Sequence, residues 1–599
     1  MKFLKIIIVS FIIIIHFPLI CYAEKDWIFT QAQFDKSIDE INSGEKKELR
    51  LSPGTFILKS NIKAKSPLSI IGDNSSIVFN NISYSKDDSI GSTDFHYICN
   101  LTKPISHFSL FVNEEGEIVN VSETVNDQSL VNCINSKIIG EYTKKNGVGI
   151  KIPIADSLLY LKDKVNVDAY GYFDCAWSKV NFQINSISKG FFYCTTLNET
   201  NTRDFNYEIA KYKKDLRYVI FNLELKKDQI FYDHNKIYIP KSVNKIYCLD
   251  CTVFDKNEPT ISTSSDIIIK GIHFKNFNGI AVDSKLNSKC LITNCRFSNT
   301  LGNALKINKK NGKNVNPAVI SNCVFNYCSI LNSNVILLQS DFSRGKCITV
   351  SDCYISRYPN NKVGYKNCSG AIYSSADAEI INNIIYNTPR CHIYLAKGNN
   401  IVKNNILYNT QDFNTHIQRN LSSDFGIIYC DHIFNYTKEA IFNDAHTILI
   451  EGNLIYGAHS FNNDGRGIMI DDGRGDVTCR NNLILDTDIF SIDSRDVTSF
   501  VSSSSVRNVI EGNYLGSNYR LASGKEVSEE DIAVINNNIL FGVYNNIKTR
   551  VKIKKDDIVV PIQSNVICED GKVIISKSDY RKLKKIKNWK SVKKFFISR

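Results

Sequence analysis

Eight short stretches decide the fold: LITNCRF (291–297), VISNCVF (319–325), TVSDCYI (349–355), EIINNII (379–385), IVKNNIL (401–407), LIEGNLI (449–455), CRNNLI (479–484) and VIEGNYL (509–515). Each is a short β-branched run, a polar corner and a second apolar run. Aligned on one corner position, they place Cys295, Cys323, Cys353, Asn383, Asn405, Asn453, Asn482 and Asn513 in one column. The intervals are 28, 30, 30, 22, 48, 29 and 31 residues. Self-similarity on this scale marks a solenoid. No helical apolar spacing lies between the phrases, so the coils are built from strands.

One strand–corner–strand unit per repeat predicts an all-β chain, a right-handed parallel β-helix. Its coils stack at the ~4.8 Å strand spacing, so equivalent residues form ladders. Asn383, Asn405, Asn453, Asn482 and Asn513 are expected to bond from coil to coil. Cys295, Cys323 and Cys353 continue the column as small buried thiols. No metal site is expected of them, because a metal needs converging ligands rather than one residue per coil. The 48-residue interval implies either one coil with long loops or two coils with one degenerate phrase.

The remaining segments arrange themselves around this core. MKFLKIIIVSFIIIIHFPLICYA reads as a secretory signal, residues 1–23, with Lys2 and Lys5 before an apolar run and cleavage near Ala23. The run is shorter than the ~20 residues of a spanning helix. A secreted, periplasmic or cell-surface location follows, without membrane insertion after signal removal. Residues 24–84 read as an N-terminal cap and the first coils, with TQAQFDKSIDEI an amphipathic helix capped by Thr30. Residues 85–255 lose the phrase and alternate in short runs such as HFSLFVN and KIYIP, an inserted antiparallel β domain. The parallel β-helix with the site spans 256–525, and C-terminal coils with a basic tail span 526–599.

The net charge of +12 is local in origin. Residues 569–599 hold eleven Lys or Arg against three acids, a solvated amphipathic tail. Neither that tail nor an exported chain argues for a nucleic-acid partner.

A second set of strands recurs between the phrases: GAIYSS, CHIYLA, FGIIYC and GIMIDD. Stacked in register, Tyr373, Tyr394, Tyr429 and Ile470 share a column, as do Ala371, His392, Ile427 and Ile468. The same register sets Asp471 beside Cys430 and Asp472 beside Asp431. Asp471 and Asp472 stand where the strand ends, facing an outer groove, and Asp424 sits one coil earlier. Two carboxylates from neighbouring coils can span a sugar ring, the requirement of glycoside hydrolysis. Close like charges also separate titrations, keeping one acid protonated. His392, Tyr373, Tyr429, Arg466 and Arg474 are candidates to bind substrate hydroxyls or an acidic group. His392 has a second reading as a satisfied ladder residue. Glu451 and Glu511 lie in E-G-N corners and read as structural.

These stretches resemble a known family. DFGIIY followed by GRGIMIDDGRGDVTCRNNLI is similar to the D-x-G-A-I-Y … G-I-Y-L-D-D-G-x-x-G … N pattern of β-helix glycosidases related to glycoside hydrolase family 141, on a pectate-lyase-like solenoid. FSLFVNEEGEIVNVSE and LRYVIFNLELKKDQIFYDHNKIYIP resemble segments of their inserted β domain. The resemblance implies Asp424 with Asp471 or Asp472 as the catalytic pair. The family's early Arg is Val or Ser here and Ile427 replaces Ala, which leaves the substrate open.

The sequence thus points to an exported, monomeric glycoside hydrolase acting on a polysaccharide or oligosaccharide, without a cofactor. Two other readings stay open. A polysaccharide lyase would use His392, Lys397 or Arg466 as base, with Ca²⁺ as charge neutraliser. A non-catalytic glycan-binding solenoid would retain glycan without cleaving it.

Overall fold

The computed structural model describes residues 27–575 with breaks, the longest at 125–138, 154–166, 197–216, 357–369, 410–424, 432–446, 496–507, 523–532 and 542–557. The signal segment and most of the basic tail lie outside the described residues.

The chain winds as a parallel β-helix whose coils have three strand-bearing sides. Eleven parallel strands form a front sheet, running in order from Ile62–Ala64 through Pro259–Thr263 to Tyr519–Ala522. The other two sides belong to one long sheet bent at the polar corner. Its upstream flank carries strands such as Ala378–Ile381, and its downstream flank carries strands such as Ile384–Tyr386.

The corner explains the repeated phrase. Asn294, Asn322, Asp352, Asn382, Asn404 and Asn481 hold φ between 52° and 58°, and Gly452 and Gly512 hold 66° and 61°. Only Asn, Asp and Gly enter this left-handed region at low cost. The next residue turns inward. Asn383 donates from its backbone and its side-chain amide to Asn405 Oδ1, at 2.8 and 3.0 Å. Asn405 does the same to Asn453, and the series runs through Asn482 and Asn513 to Asn538. Each second amide hydrogen reaches a backbone carbonyl of the preceding coil, as Asn405 does to Ile380. Cys353 joins this column through its backbone N–H to Asn383 Oδ1, and Cys295, Cys323 and Cys353 are free, buried thiols. Because Asn405 bonds directly to Asn453, the 48-residue interval is one coil with long connections.

The interior is a set of parallel columns. Phe274, Phe297 and Phe325 stack with centroids 4.9 and 5.0 Å apart. Ile355, Ile385, Leu407, Ile455 and Ile484 continue that column in register, all fully buried. The helix Gln31–Ser43 closes the first coil. Thr30 and Gln33 cap it reciprocally, and Phe34, Ile38 and Ile41 bury against Phe56 and its neighbours. Antiparallel sheets occupy the chain between Ile82 and Leu249. The parallel stack passes over them: Ile62–Ala64 pairs directly with Pro259–Thr263, and Leu68–Phe79 with Ile267–Phe277. The inserted β segment therefore separates two consecutive coils.

Candidate active site

Alternation along the front strands separates an inner from an outer column. Ile393, Ile428, Ile468 and Ile492 share an inner column. The outer column reads Asp283, Lys306, Leu337, Tyr373, Tyr394, Tyr429, Met469, Asp493 and Arg520. Tyr373, Tyr394 and Tyr429 stack at 5.3 and 4.8 Å, as the sequence predicted.

The next step departs from the expected register. Tyr429 pairs with Met469 rather than Ile470, and Ile427 consequently stands beside Gly467 rather than Ile468. The strand Gly465–Ile470 is shifted by one residue against Phe425–Cys430 relative to the sequence alignment. Both strands are buried at nearly every position, so apolar alternation gives no signal to fix their register. The shift changes the acids that meet. Asp431 N–H donates to Leu395 O, and Asp471 N–H donates to Cys430 O, each at 2.9 Å. Asp471 thus occupies, one coil on, the position of Asp431, where the sequence placed Asp472.

Asp431 and Asp471 stand where their strands end, on adjacent coils whose spacing is ~4.8 Å, and both are largely buried. Asp431 is 6% exposed and Asp471 9% exposed. The Tyr429 hydroxyl donates to Asp471 Oδ2, tying the last ring of the tyrosine stack to the second acid. Asp493 lies on the same outer face, fully buried, and Arg466 Nε donates to its Oδ2 at 2.5 Å. The guanidinium predicted to meet an acidic substrate is thereby engaged within the protein. Asp283 lies in the same outer column, after Lys63 and Ser262, six coils before Met469 and so about 29 Å away. Burial raises the pKa of its carboxyl, opposed by Lys306 and Lys285.

His392 takes the second of its two readings. It is fully buried, with Nδ1 2.8 Å from Thr388 Oγ1 and Nε2 3.2 Å from Tyr408 O. A carbonyl at Nε2 fixes the proton there, and Nδ1 accepts from the hydroxyl. Burial pushes its pKa down to about 3, against which the Tyr408 carbonyl acts weakly. Both ring nitrogens are therefore committed inside the coil. Tyr373 is half-buried at the outer face, stacked on Tyr394. Asp424, Asp472 and Arg474 lie outside the described residues.

Sequence reading did not single out Asp431 or Asp493. The signal for Asp431 was its place after YC in FGIIYCD, matching the place of Asp471 after MI. Among the described residues no group of three or more side chains is arranged to hold a metal ion. Nor is any helix there long and apolar enough to cross a membrane.

No family profile and no curated protein sequence matches the chain. Among solved structures, one described as a glycoside hydrolase superposes with a TM-score of 0.53 at 12% identity, over 84% of this chain and 94% of its own. The Gp54 tailspike of Acinetobacter baumannii bacteriophage AP22, in complex with a capsular saccharide, matches at 9% identity over 89% of this chain and 76% of its own, TM-score 0.19. The catalytic domain of a GH87 α-1,3-glucanase matches at 11% identity over 74% of this chain and 98% of its own, TM-score 0.24. The first likeness establishes a shared fold; the other two superpose too loosely to bear on function.

Proposed function

We propose that this chain is an exported glycoside hydrolase that cleaves a polysaccharide or oligosaccharide at the strand ends of its front sheet. The observation that carries the proposal is the pairing of Asp431 and Asp471 at equivalent positions of adjacent coils. Glycoside hydrolysis asks one carboxyl to protonate the leaving oxygen and a second to act as base or nucleophile. Adjacent coils set two such groups at equivalent strand ends, and the tyrosine stack beside them reaches the surface at Tyr373. Tyr429 holds Asp471 in one orientation through its hydroxyl, a positioning role. Asp424 and Asp472, the residues the family resemblance implies, lie close in sequence to Asp431 and Asp471. The solved glycoside hydrolase of like fold adds support at the level of architecture.

The lyase reading is weaker. Two of the bases it would draw on, His392 and Arg466, are engaged by Tyr408 and Asp493. Incubating the mature chain with a panel of defined glycans separates the readings. Hydrolysis releases reducing ends without ultraviolet absorbance from a new double bond; a lyase produces that absorbance; a binder retains glycan and releases nothing. The hydrolase reading expects the first result, and either of the others would overturn it.

A further inference from the structure

The downstream flank carries a second surface, away from the front strand ends. Two outer columns run along it. One passes from His273 through Arg296, Val324, Tyr354 and Ile384 to Ile406. The other passes from Lys275 through Ser298, Asn326, Ser356, Tyr386 and Tyr408 to Tyr456, with Ser298, Ser356 and Tyr456 buried and the rest reaching the surface. No Asp or Glu occurs in either column. Two cations stand at one end and a tyrosine row at the other, within five coil steps, about 24 Å. Arg296 is exposed and Lys275 half-exposed, and neither forms an ion pair among the described residues. Their field reaches inward: burial first, then Lys275 and Arg296, hold the His273 pKa down to about 3. His273 instead bonds through Nε2 to Ser298 Oγ at 2.9 Å.

The tyrosine row has a definite geometry. Tyr386 and Tyr408 are stacked, centroids 5.4 Å apart and planes 13° apart. Tyr354, 36% exposed, lies 5.0 Å from Tyr386 at a 49° tilt. Rings stacked along the axis give their faces to one another and turn edges outward. The edge is the positive side of the aromatic quadrupole. Ring edges, phenol hydroxyls and two cations thus line one strip whose two columns carry no carboxylate. Its step along the axis is close to the advance of one pyranose in an extended chain.

We propose that this strip, Lys275 and Arg296 with Asn326, Tyr354, Tyr386 and Tyr408, docks an extended carboxylated polysaccharide along the β-helix axis. The cations take carboxylates and the tyrosine edges take hydroxyls and ring oxygens. A nucleic acid fits less well, because its bases need open ring faces to stack on, and Tyr386 and Tyr408 turn theirs to each other. The inference extends the glycan reading to a specific charge class, and it stands or falls separately from cleavage.

The test uses the full mature chain carrying Asp431→Asn and Asp471→Asn, so that turnover does not consume the probe. Binding to polygalacturonate and to hyaluronate is measured at low and at physiological salt, beside neutral dextran and single-stranded oligothymidylate. At least one acidic glycan is expected to bind, more weakly as salt rises, with dextran unbound. Tyr354→Ala with Tyr386→Ala, and separately Lys275→Gln with Arg296→Gln, should each weaken binding at least about tenfold. The cation pair should also flatten the salt dependence. Conservative Tyr386→Phe should weaken binding less than Tyr386→Ala, and thermal midpoints confirm folding. Absence of binding to either acidic glycan, unchanged binding in both double variants, or preference for the oligothymidylate would overturn the proposal. None of these outcomes depends on whether the parent chain cleaves glycan.

Discussion

The inner corner and the front strand ends are built from the same coils and obey opposite rules. At the corner, Asn383, Asn405, Asn453, Asn482, Asn513 and Asn538 repeat one residue, and each is fully buried. At the front, the outer column changes residue everywhere except within its tyrosine triplet, from Asp283, Lys306 and Leu337 through three tyrosines to Met469 and Asp493. Repetition solves a problem that every coil shares, the satisfaction of buried backbone groups at a turn. A column that refuses to repeat is free of that problem, and there a coil can carry a residue of its own. The difference separates residues that hold the solenoid together from residues that use it.

The comparison breaks most visibly through paired substitutions. Asp471→Asn or Asp431→Asn should lower kcat by about 10³-fold, the scale of losing a general acid or base, with an unchanged thermal midpoint. Asn405→Ala should do the reverse. It strands Ile380 O and the Asn383 N–H, costing about 3 kcal/mol in denaturant unfolding, while turnover per folded molecule stays constant. An Asn405→Ala protein that lost activity without losing stability would dissolve the distinction.

Two smaller effects sharpen it. His392 is neutral in the folded chain down to about pH 3, whereas the unfolded chain takes its proton near the ordinary histidine value of 6.5. The folded pKa is depressed, so this stability is present above about pH 6.5 and falls as pH drops toward 3. The slope is about 1.4 kcal/mol per pH unit. His392→Gln should remove that slope from a pH series of denaturant titrations. Tyr429→Phe should lower kcat about tenfold while leaving the unfolding midpoint within error, as expected when a positioning hydrogen bond is lost. The smallest effect belongs to Glu451, whose carboxylate lies 3.0 Å from both Lys403 and Arg480. Because those partners are partly exposed, Glu451→Gln should cost about 0.5 kcal/mol and leave turnover unaffected.

The sequence made the repeating part legible and blurred the other. The left-handed corner admits only Asn, Asp or Gly, and the ladder needs an amide behind it, so the two positions recur as a readable phrase. Even the cysteine rungs announced themselves by sharing the column. At the front, GRGIMI and FGIIYC are apolar almost throughout, and their period-two alternation is silent. The register slipped by one residue there, and Asp472 was set beside Asp431 in place of Asp471. His392 and Arg466 looked like binding residues because their types suit that work. Their partners, Tyr408 O and Asp493, sit on other sides or other coils, and no spacing along the chain reveals such contacts. The tyrosine stack was legible because it repeats, Tyr373, Tyr394 and Tyr429 holding one place in three successive strands.

That Asp431 and Asp471 work as one unit is tested most directly by a double-substitution cycle on kcat with the best substrate of the glycan panel. If they share one reaction, Asp431→Asn/Asp471→Asn will be no slower than the slower single variant, because removing either partner already disables the step. Additive losses, or full activity in either single variant, would contradict it.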